Sequence, residues 1–305
     1  MSAAGGRKVL VRVPATSANL GPGFDALGIA LSLDNRFEAE EADTLELRGC
    51  DEAYRGEDNL FVRAFKRALA EFGAPFRGLR VSFDSEVPVA RGLGSSSTCI
   101  VGGLLAADAL YGGKLGRDRI LDLAAELEGH PDNVAPALLG GFVSAVLEGG
   151  KVRASRFPVD EDLRFHALVP PFELETSKAR AALPKELPFK DAVFNVGRAA
   201  LVVAAFASRD YAALSVACKD RLHETYRSPL IPGFDEIVRA AIGSGATTAF
   251  LSGAGPTILA ICEPGDTSFA ASIEPVLAAR PEGRWRHLVL SPDNKGAEAR
   301  IELPS

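Results

Sequence analysis

The sequence predicts an α+β protein of two domains, each laying helices on a mainly antiparallel sheet. Three observations lead there. At 305 residues the chain is long for a single core. The segment "GFVSAVLEGGKVRASRF" at 141–157 reads as two strands folded over Gly149 and Gly150, a hairpin that closes a first set of elements. The residues beyond it supply strands and helices of their own. The boundary falls near residue 160, giving domains of 1–160 and 161–305.

The elements follow in order. "KVLVRV" at 8–13 is a β-rich run that ends at Pro14, and a polar, glycine-rich segment, 14–31, returns to apolar residues. A helix starts at Asp58 as N-cap, with Leu60, Phe61, Ala64, Phe65, Ala68, Leu69 and Phe72 on one face. "LRVSFDSEV" at 79–87 alternates like a half-buried strand and leads into the loop "PVARGLGSSST" at 88–98. A buried helix runs from about Thr98 to Leu110, and another from Arg117 to Glu128 stops at Gly129. In the second half, "RFHALVP" at 164–170 is a strand, and 191–207 and 210–219 are helical. "ATTAFLSGAGPTILAIC" at 246–262 is two strands around a glycine-rich turn; a helix at 267–279 and the strand "WRHLVL" at 285–290 follow.

Composition narrows the function. Hydrophobic residues at 47% and charged residues at 24% describe an ordinary soluble globular protein. A net charge of −6 offers no basic excess for a nucleic-acid backbone, yet leaves room for a small phosphorylated ligand. Cys50, Cys99, Cys218 and Cys262 are scattered, without a CxxC pair or a nearby histidine, and read as reduced thiols. The N-terminal "MSAAGGRKVLVRV" lacks the apolar core of a signal peptide, and the apolar run 199–207 is too short to span a bilayer. A cytoplasmic protein without membrane contact is expected.

The 88–98 loop carries the chemistry. Gly92 and Gly94 allow tight or left-handed turns and present bare backbone, while Ser95, Ser96 and Ser97 add hydroxyls. The loop opens a helix, and free amides at the positive end of a helix dipole suit an anion, phosphate above all. A plain linker or helix cap is the alternative for a lone GxG. The chain has no GxxxxGK[ST], and "GLGSSS" is not a dinucleotide GxGxxG fingerprint.

"VPATSANLGPGFDALGIAL" at 13–31, "PVARGLGSSST" at 88–98 and "LSGAGPTILAI" at 251–261 together resemble the three motifs of the GHMP kinases, in their order. "EGHPDNVAPALLGGF" at 128–142 resembles the homoserine kinase branch. The first motif has Thr16 and Ser17, then Asn19 and Asp25, where mevalonate kinase and galactokinase relatives carry an early lysine or arginine. That departure argues for positioning and charge neutralisation over strong base catalysis. The resemblance implies an N-terminal ribosomal-protein-like nucleotide-binding domain and a C-terminal ferredoxin-like domain. It further implies ATP and Mg²⁺ as cofactors, L-homoserine as acceptor and a place in threonine biosynthesis; a homodimer is compatible with it.

Site residues follow from the same resemblance. Pro88, Val89 and Ala90 lead into the ATP loop, Arg91, Gly92, Leu93 and Gly94 turn it, and Ser95, Ser96, Ser97 and Thr98 carry it into the helix. Ser96 or a neighbouring hydroxyl is assigned to Mg²⁺, with Glu126 as the preferred carboxylate and Glu128 the second choice. A solvated helix face is the plain alternative for both. Asn59 resembles the adenine-side asparagine, against simple participation in a helix start. Asn19 and Asp25 are assigned to the amino and hydroxyl end of the acceptor, Asp25 as base or as positioning group. His130 and Asn133 line the same pocket, unless His130 is a structural hydrogen-bonder. Arg180 and Arg227 take the acceptor carboxylate, which a guanidinium fork matches. Gly253, in the segment from Ser252 to Pro256, closes the site against the loop. Two other readings stay open: a kinase of another small alcohol, and a nucleotide or metabolite sensor of the same fold without turnover.

Overall fold

A computed structural model describes residues 7–302; residues 1–6 of the stretch read against a signal peptide lie outside them. β1 (Lys8–Ala18) and β2 (Leu27–Glu41) form the antiparallel centre of a seven-stranded sheet. β3 (Leu45–Arg48) lies parallel to β4 (Leu79–Ser85), which pairs with the second half of β2. Val9, Val11 and Val13 alternate onto one face and are buried there. Over that face pack α1 (Leu60–Glu71), α2 (Ser95–Leu110), α3 (Gly116–Glu128) and α4 (Val134–Leu139). Phe37, Phe61 and Phe83 meet at its centre with ring centroids 5.0, 5.4 and 5.8 Å apart. β5 (Phe142–Glu148) joins the start of β2 and folds back over Gly149 and Gly150 into β6 (Lys151–Phe157), the expected hairpin.

In the second half, β7 (Arg164–Val169) is followed by α5 (Thr176–Ala181), α6 (Phe189–Ser208), and two short helices, α7 (Leu214–Ala217) and α8 (Glu224–Arg227). Then come α9 (Phe234–Gly243), β8 (Thr248–Leu251), β9 (Ile258–Cys262), α10 (Phe269–Ala278) and β10 (Arg286–Leu290). The four strands order as β10-β7-β9-β8, all antiparallel. Leu168, Ile258 and Ala260 face α9 and α10, whereas Phe165, Ala167, Leu259 and Ile261 face α6. The second cluster also takes in Leu20, Leu27, Ile29 and Phe142, so the two domains share one core, with Phe142 stacked 4.3 Å from Phe206. That shared core fixes the cleft between them.

Several local expectations change. β1 continues past Pro14 because the register shifts between Pro14 and Ala15, a bulge that accommodates the missing N–H. Asn59, not Asp58, caps α1, accepting from the Phe61 amide at 2.9 Å. α2 begins at Ser95, so the serines form its first turn. The helical stretch at 210–219 is a 3-10 turn plus the short α7. α6 is long and apolar enough, by length and composition alone, to cross a bilayer. Here it packs Val202, Ala205 and Phe206 onto the second sheet. Finally, β11 (Glu298–Glu302) returns to pair antiparallel with β1 at the edge of the first sheet. Arg12, donating to Asp34 at 2.7 Å and to Asp293, ties that return to the first sheet.

Candidate active site

A cavity of about 430 Å³ opens where the first motif, the 88–98 loop and the second domain meet. One wall is the N-terminus of α2. Gly94 caps it in the left-handed region at φ 73° and has no side chain to satisfy the first amides. Those donors face the cavity beside Ser95 and Ser96, an arrangement built for an anion. The glycines also serve packing within the protein. A Cβ on Gly92 would lie 2.4 Å from the Ser252 carbonyl oxygen, and one on Gly94 2.0 Å from Thr16 Oγ1.

The loop is held from both domains. Asn35, buried in β2, accepts from the Val87 amide at 3.0 Å and donates to Thr98 Oγ1 at 2.7 Å, spanning its two ends. Ser252 Oγ donates to the Gly92 carbonyl at 2.6 Å and takes part in a 2.8 Å hydroxyl contact with Ser17. Since Ser252 has one hydroxyl proton, Ser17 donates to Ser252. The three motifs are therefore linked through one serine. Arg91 turns away from the cavity centre to donate to the Pro170 and Pro171 carbonyls and to pair with Glu173. Val89, Ala90, Arg91, Gly92, Gly94, Ser95 and Ser96 line the cavity, while Pro88, Leu93, Ser97 and Thr98 do not.

The two glutamates separate. Glu126 lies outside the cavity, half exposed, gripped by Arg67 Nε at 2.9 Å and Nη2 at 3.0 Å; that hydrogen bonding lowers its pKa. Glu128 lines the cavity and accepts from Ser96 Oγ at 2.7 Å and Ser97 Oγ at 3.0 Å. The two glutamates diverge because residues two apart on a helix point to different sides, so position 126, the preferred metal carboxylate of the sequence, faces Arg67 and position 128 faces the loop. The Ser96 hydroxyl and the Glu128 carboxylate beside the α2 N-terminus are hard oxygen donors of the kind that Mg²⁺ takes.

At the far end, Asn59 lines the cavity beside Cys50, Asp51, Tyr54 and Leu60. Its amide already caps α1 and donates to the Tyr54 carbonyl at 2.8 Å, leaving one donor and one lone pair.

The opposite end brings together Asn19, Asp25, His130, Asn133, Arg180, Arg227 and Gly253. Asn19, Asp25 and Ala90 all sit at positive φ, 71°, 56° and 52°, strain of the kind that gathers at functional sites. Asn19 uses its side chain on the backbone, accepting from Asp25 N at 3.1 Å and donating to the Gly253 carbonyl at 2.9 Å. Asp25 receives the Arg180 fork at 2.9 and 3.1 Å. Asn133 accepts from Thr16 Oγ1 at 2.8 Å. His130 Nδ1 pairs with Asp132, a buried residue of the same segment. Burial opposes the His130 cation, but the Asp132 hydrogen bond and charge, with Glu128 and Asp25 nearby, outweigh it and raise the pKa. Asp25, His130 and Asp132 each bring one ligand atom within 4.8 Å of the others.

Asp132, Asn35 and Phe24 are functional candidates that the sequence reading passed over. Asp132 stood inside the quoted "HPDN". Asn35 stands between Asp34 and Arg36 in β2, where one more polar residue carries no signal, and Phe24 had none either. Its ring lies under both arginines, 5.6 Å from Arg180 Cζ and 5.1 Å from Arg227 Cζ.

Known proteins resemble this chain in sequence and in fold. The sequence profile of the GHMP kinases N terminal domain matches residues 59–141, and that of the GHMP kinases C terminal region matches residues 202–272. The chain is 48% identical over 291 residues to a homoserine kinase of Clostridium beijerinckii, covering 95% of this chain and 97% of that protein. It is 46% identical over 294 residues to a homoserine kinase of Caldicellulosiruptor saccharolyticus, covering 95% and 96%. The crystal structure of homoserine kinase from Cytophaga hutchinsonii superposes with a TM-score of 0.84 at 29% identity, covering 96% and 97%.

Proposed function

The chain belongs to the GHMP kinases, in their homoserine kinase family, and on that premise we propose how its cleft moves the γ-phosphoryl group of ATP to the hydroxyl of L-homoserine. The product is O-phospho-L-homoserine, on the way to threonine, and the setting we assign is the cytoplasm. One observation carries the reading. A single cavity presents an uncapped helix N-terminus at one side and, beyond it, two arginines beside the carboxylates Asp25 and Asp132.

Homoserine carries a carboxylate, an ammonium and a hydroxyl, and the acceptor end offers a complement to each. Arg180 and Arg227 suit the carboxylate. Asp132 and Asp25 suit the ammonium, and the hydroxyl is left pointing toward the loop. The triphosphate lies along the α2 amides, with the adenine toward Asn59. Ser96 and Glu128 would hold Mg²⁺, which when bound neutralises phosphate charge. The hydroxyl oxygen forms its bond to the γ-phosphorus as the bond to the bridging oxygen breaks, and ADP leaves. The alcohol proton passes to solvent or to the transferred phosphoryl oxygens. Asp25, engaged by the Arg180 fork, positions the acceptor; a loose transition state needs little from a base.

With ATP and Mg²⁺, the purified protein is expected to release ADP in the presence of L-homoserine, and chelating the metal is expected to stop it. Turnover of mevalonate or galactose without turnover of homoserine would refute the assignment. Glu128→Gln is expected to raise the Mg²⁺ concentration needed for half-maximal rate and to lower kcat by at least about tenfold. Glu126→Gln loses only an exposed pair with Arg67, worth about 0–1 kcal/mol, and leaves both quantities near wild type. Magnesium titration of initial rates decides, and the opposite ranking would return the metal to position 126.

A further inference from the structure

His223 is fully buried and belongs to none of the motifs, yet it touches three parts of the acceptor end. It immediately precedes α8, whose first amide, with its own, is collected by Asp220: His223 N donates at 2.8 Å and Glu224 N at 2.7 Å. Asn195 of α6 braces this turn, donating to Asp220 at 2.6 Å and to the Pro22 carbonyl of the first motif at 3.2 Å. The first motif presses directly on the same segment, since a Cβ on Gly21 would lie 2.1 Å from the Cys218 carbonyl oxygen.

Two partners fix the imidazole. Nε2 lies 2.8 Å from the Gly21 carbonyl, which can only accept, so Nε2 carries the hydrogen. Nδ1 lies 3.5 Å from Arg227 Nη1, which can only donate, so Nδ1 keeps its lone pair. Both demands select one tautomer. Burial lowers the pKa, overriding Asp220, the Gly21 carbonyl and Asp25, and the nearby Arg227 charge works in the same direction as burial. Phe24 stacks on the ring at 5.2 Å, so imidazole, phenyl and guanidinium form one packed unit.

The consequence falls on Arg227. Its Nε donates to the Ala179 carbonyl at 3.3 Å, and its Nη1 to the Gly253 carbonyl at 3.2 Å and toward His223. Among the described residues Nη2 has no protein acceptor, and Arg227 lines the cavity. We infer that His223, held as the Nε2–H tautomer between the Gly21 carbonyl and Arg227, is a positioning residue that sets the Arg227 Nη2 edge to receive the acceptor carboxylate. This deepens the function proposed above and rests on it for the identity of the acceptor.

The substitutions separate the two contacts. An asparagine at 223 can place its oxygen where Nδ1 stood, whereas a glutamine can place its amide nitrogen where Nε2 stood. His223→Leu is expected to raise KM for homoserine on the order of ten- to a hundredfold, with KM for ATP nearly unchanged. His223→Asn should recover most of the loss and His223→Gln little of it. A merely structural role would shift both KM values together or make the two amides equivalent, and either result overturns the inference. Should the leucine variant fail to fold, the asparagine–glutamine comparison still decides. Heteronuclear NMR of the imidazole nitrogens in the wild-type protein tests the tautomer without any acceptor. An Nδ1–H tautomer or an imidazolium near neutral pH would overturn it even if homoserine is turned over. An Nε2–H ring in a protein that ignores homoserine would instead fault the functional reading.

Discussion

Arg227→Ala is expected to lower kcat/KM for homoserine by about thirtyfold to several-thousandfold, the largest loss of any acceptor-side substitution. The range corresponds to about 2–5 kcal/mol for truncating one member of a buried charge pair. Arg227 is 2% exposed, and burial lowers its pKa against the charges of Asp25, Asp132 and Asp220. A guanidinium kept there without a direct carboxylate partner among the described residues is desolvated before the acceptor arrives, so binding recovers much of that penalty. Arg180 differs. It is exposed over nearly half its side chain and already forked onto Asp25, so Arg180→Ala should do less. The test is a cycle of wild type and each alanine variant against homoserine and the amino alcohol left when hydrogen replaces its carboxylate. Strong coupling between Arg227 and the carboxylate is expected, with KM for ATP barely altered. Additive losses would show that Arg227 does not touch the acceptor at that group.

The contrast between Glu126 and Glu128 shows where sequence reading was sufficient and where it stopped. The loop could be found because its evidence is local: glycines, serines and an apolar helix in one short stretch. The choice of carboxylate needed the phase of α3. Glu128 follows Leu121, Ala124 and Ala125 on the packed face, whereas Glu126 follows Arg119 and Asp122 on the polar side. That signal was present in the spacing. Other features were not readable in the same way. Nothing near His223 in the chain says that Gly21 lies 2.8 Å away, because that proximity arises only when two domains share a core. The extension of β1 past Pro14 likewise depends on how β2 pairs with it, not on the proline. The return of β11 to the first sheet is a long-range pairing with no local signature.

Gly94→Val should abolish measurable nucleotide binding in a protein that still folds, raising Kd by at least about a hundredfold. Two effects combine. A β-branched residue at φ 73° carries backbone strain on the order of 1–3 kcal/mol. The second effect is specific to this position: the new Cβ would stand 2.0 Å from Thr16 Oγ1, and under 3 Å something must move. Thr16 is not free to yield. Its amide donates to the Leu93 carbonyl at 3.1 Å and its hydroxyl to Asn133 at 2.8 Å. Relieving the clash therefore pulls the loop off β1 and turns the α2 amides from the phosphates, while disturbing Asn133 at the acceptor end. Gly73→Val is the matched control, since Gly73 has φ 62° with nothing within 4 Å of an added Cβ. Both variants bear the strain, and only one bears the collision. Calorimetric titration with ATP, beside thermal melts of each variant, separates the two. Gly73→Val is expected to melt slightly lower and to bind ATP as wild type does. Wild-type ATP affinity in folded Gly94→Val would remove the loop from the nucleotide site, because the valine Cβ and Thr16 Oγ1 cannot both keep these positions and the loop must yield.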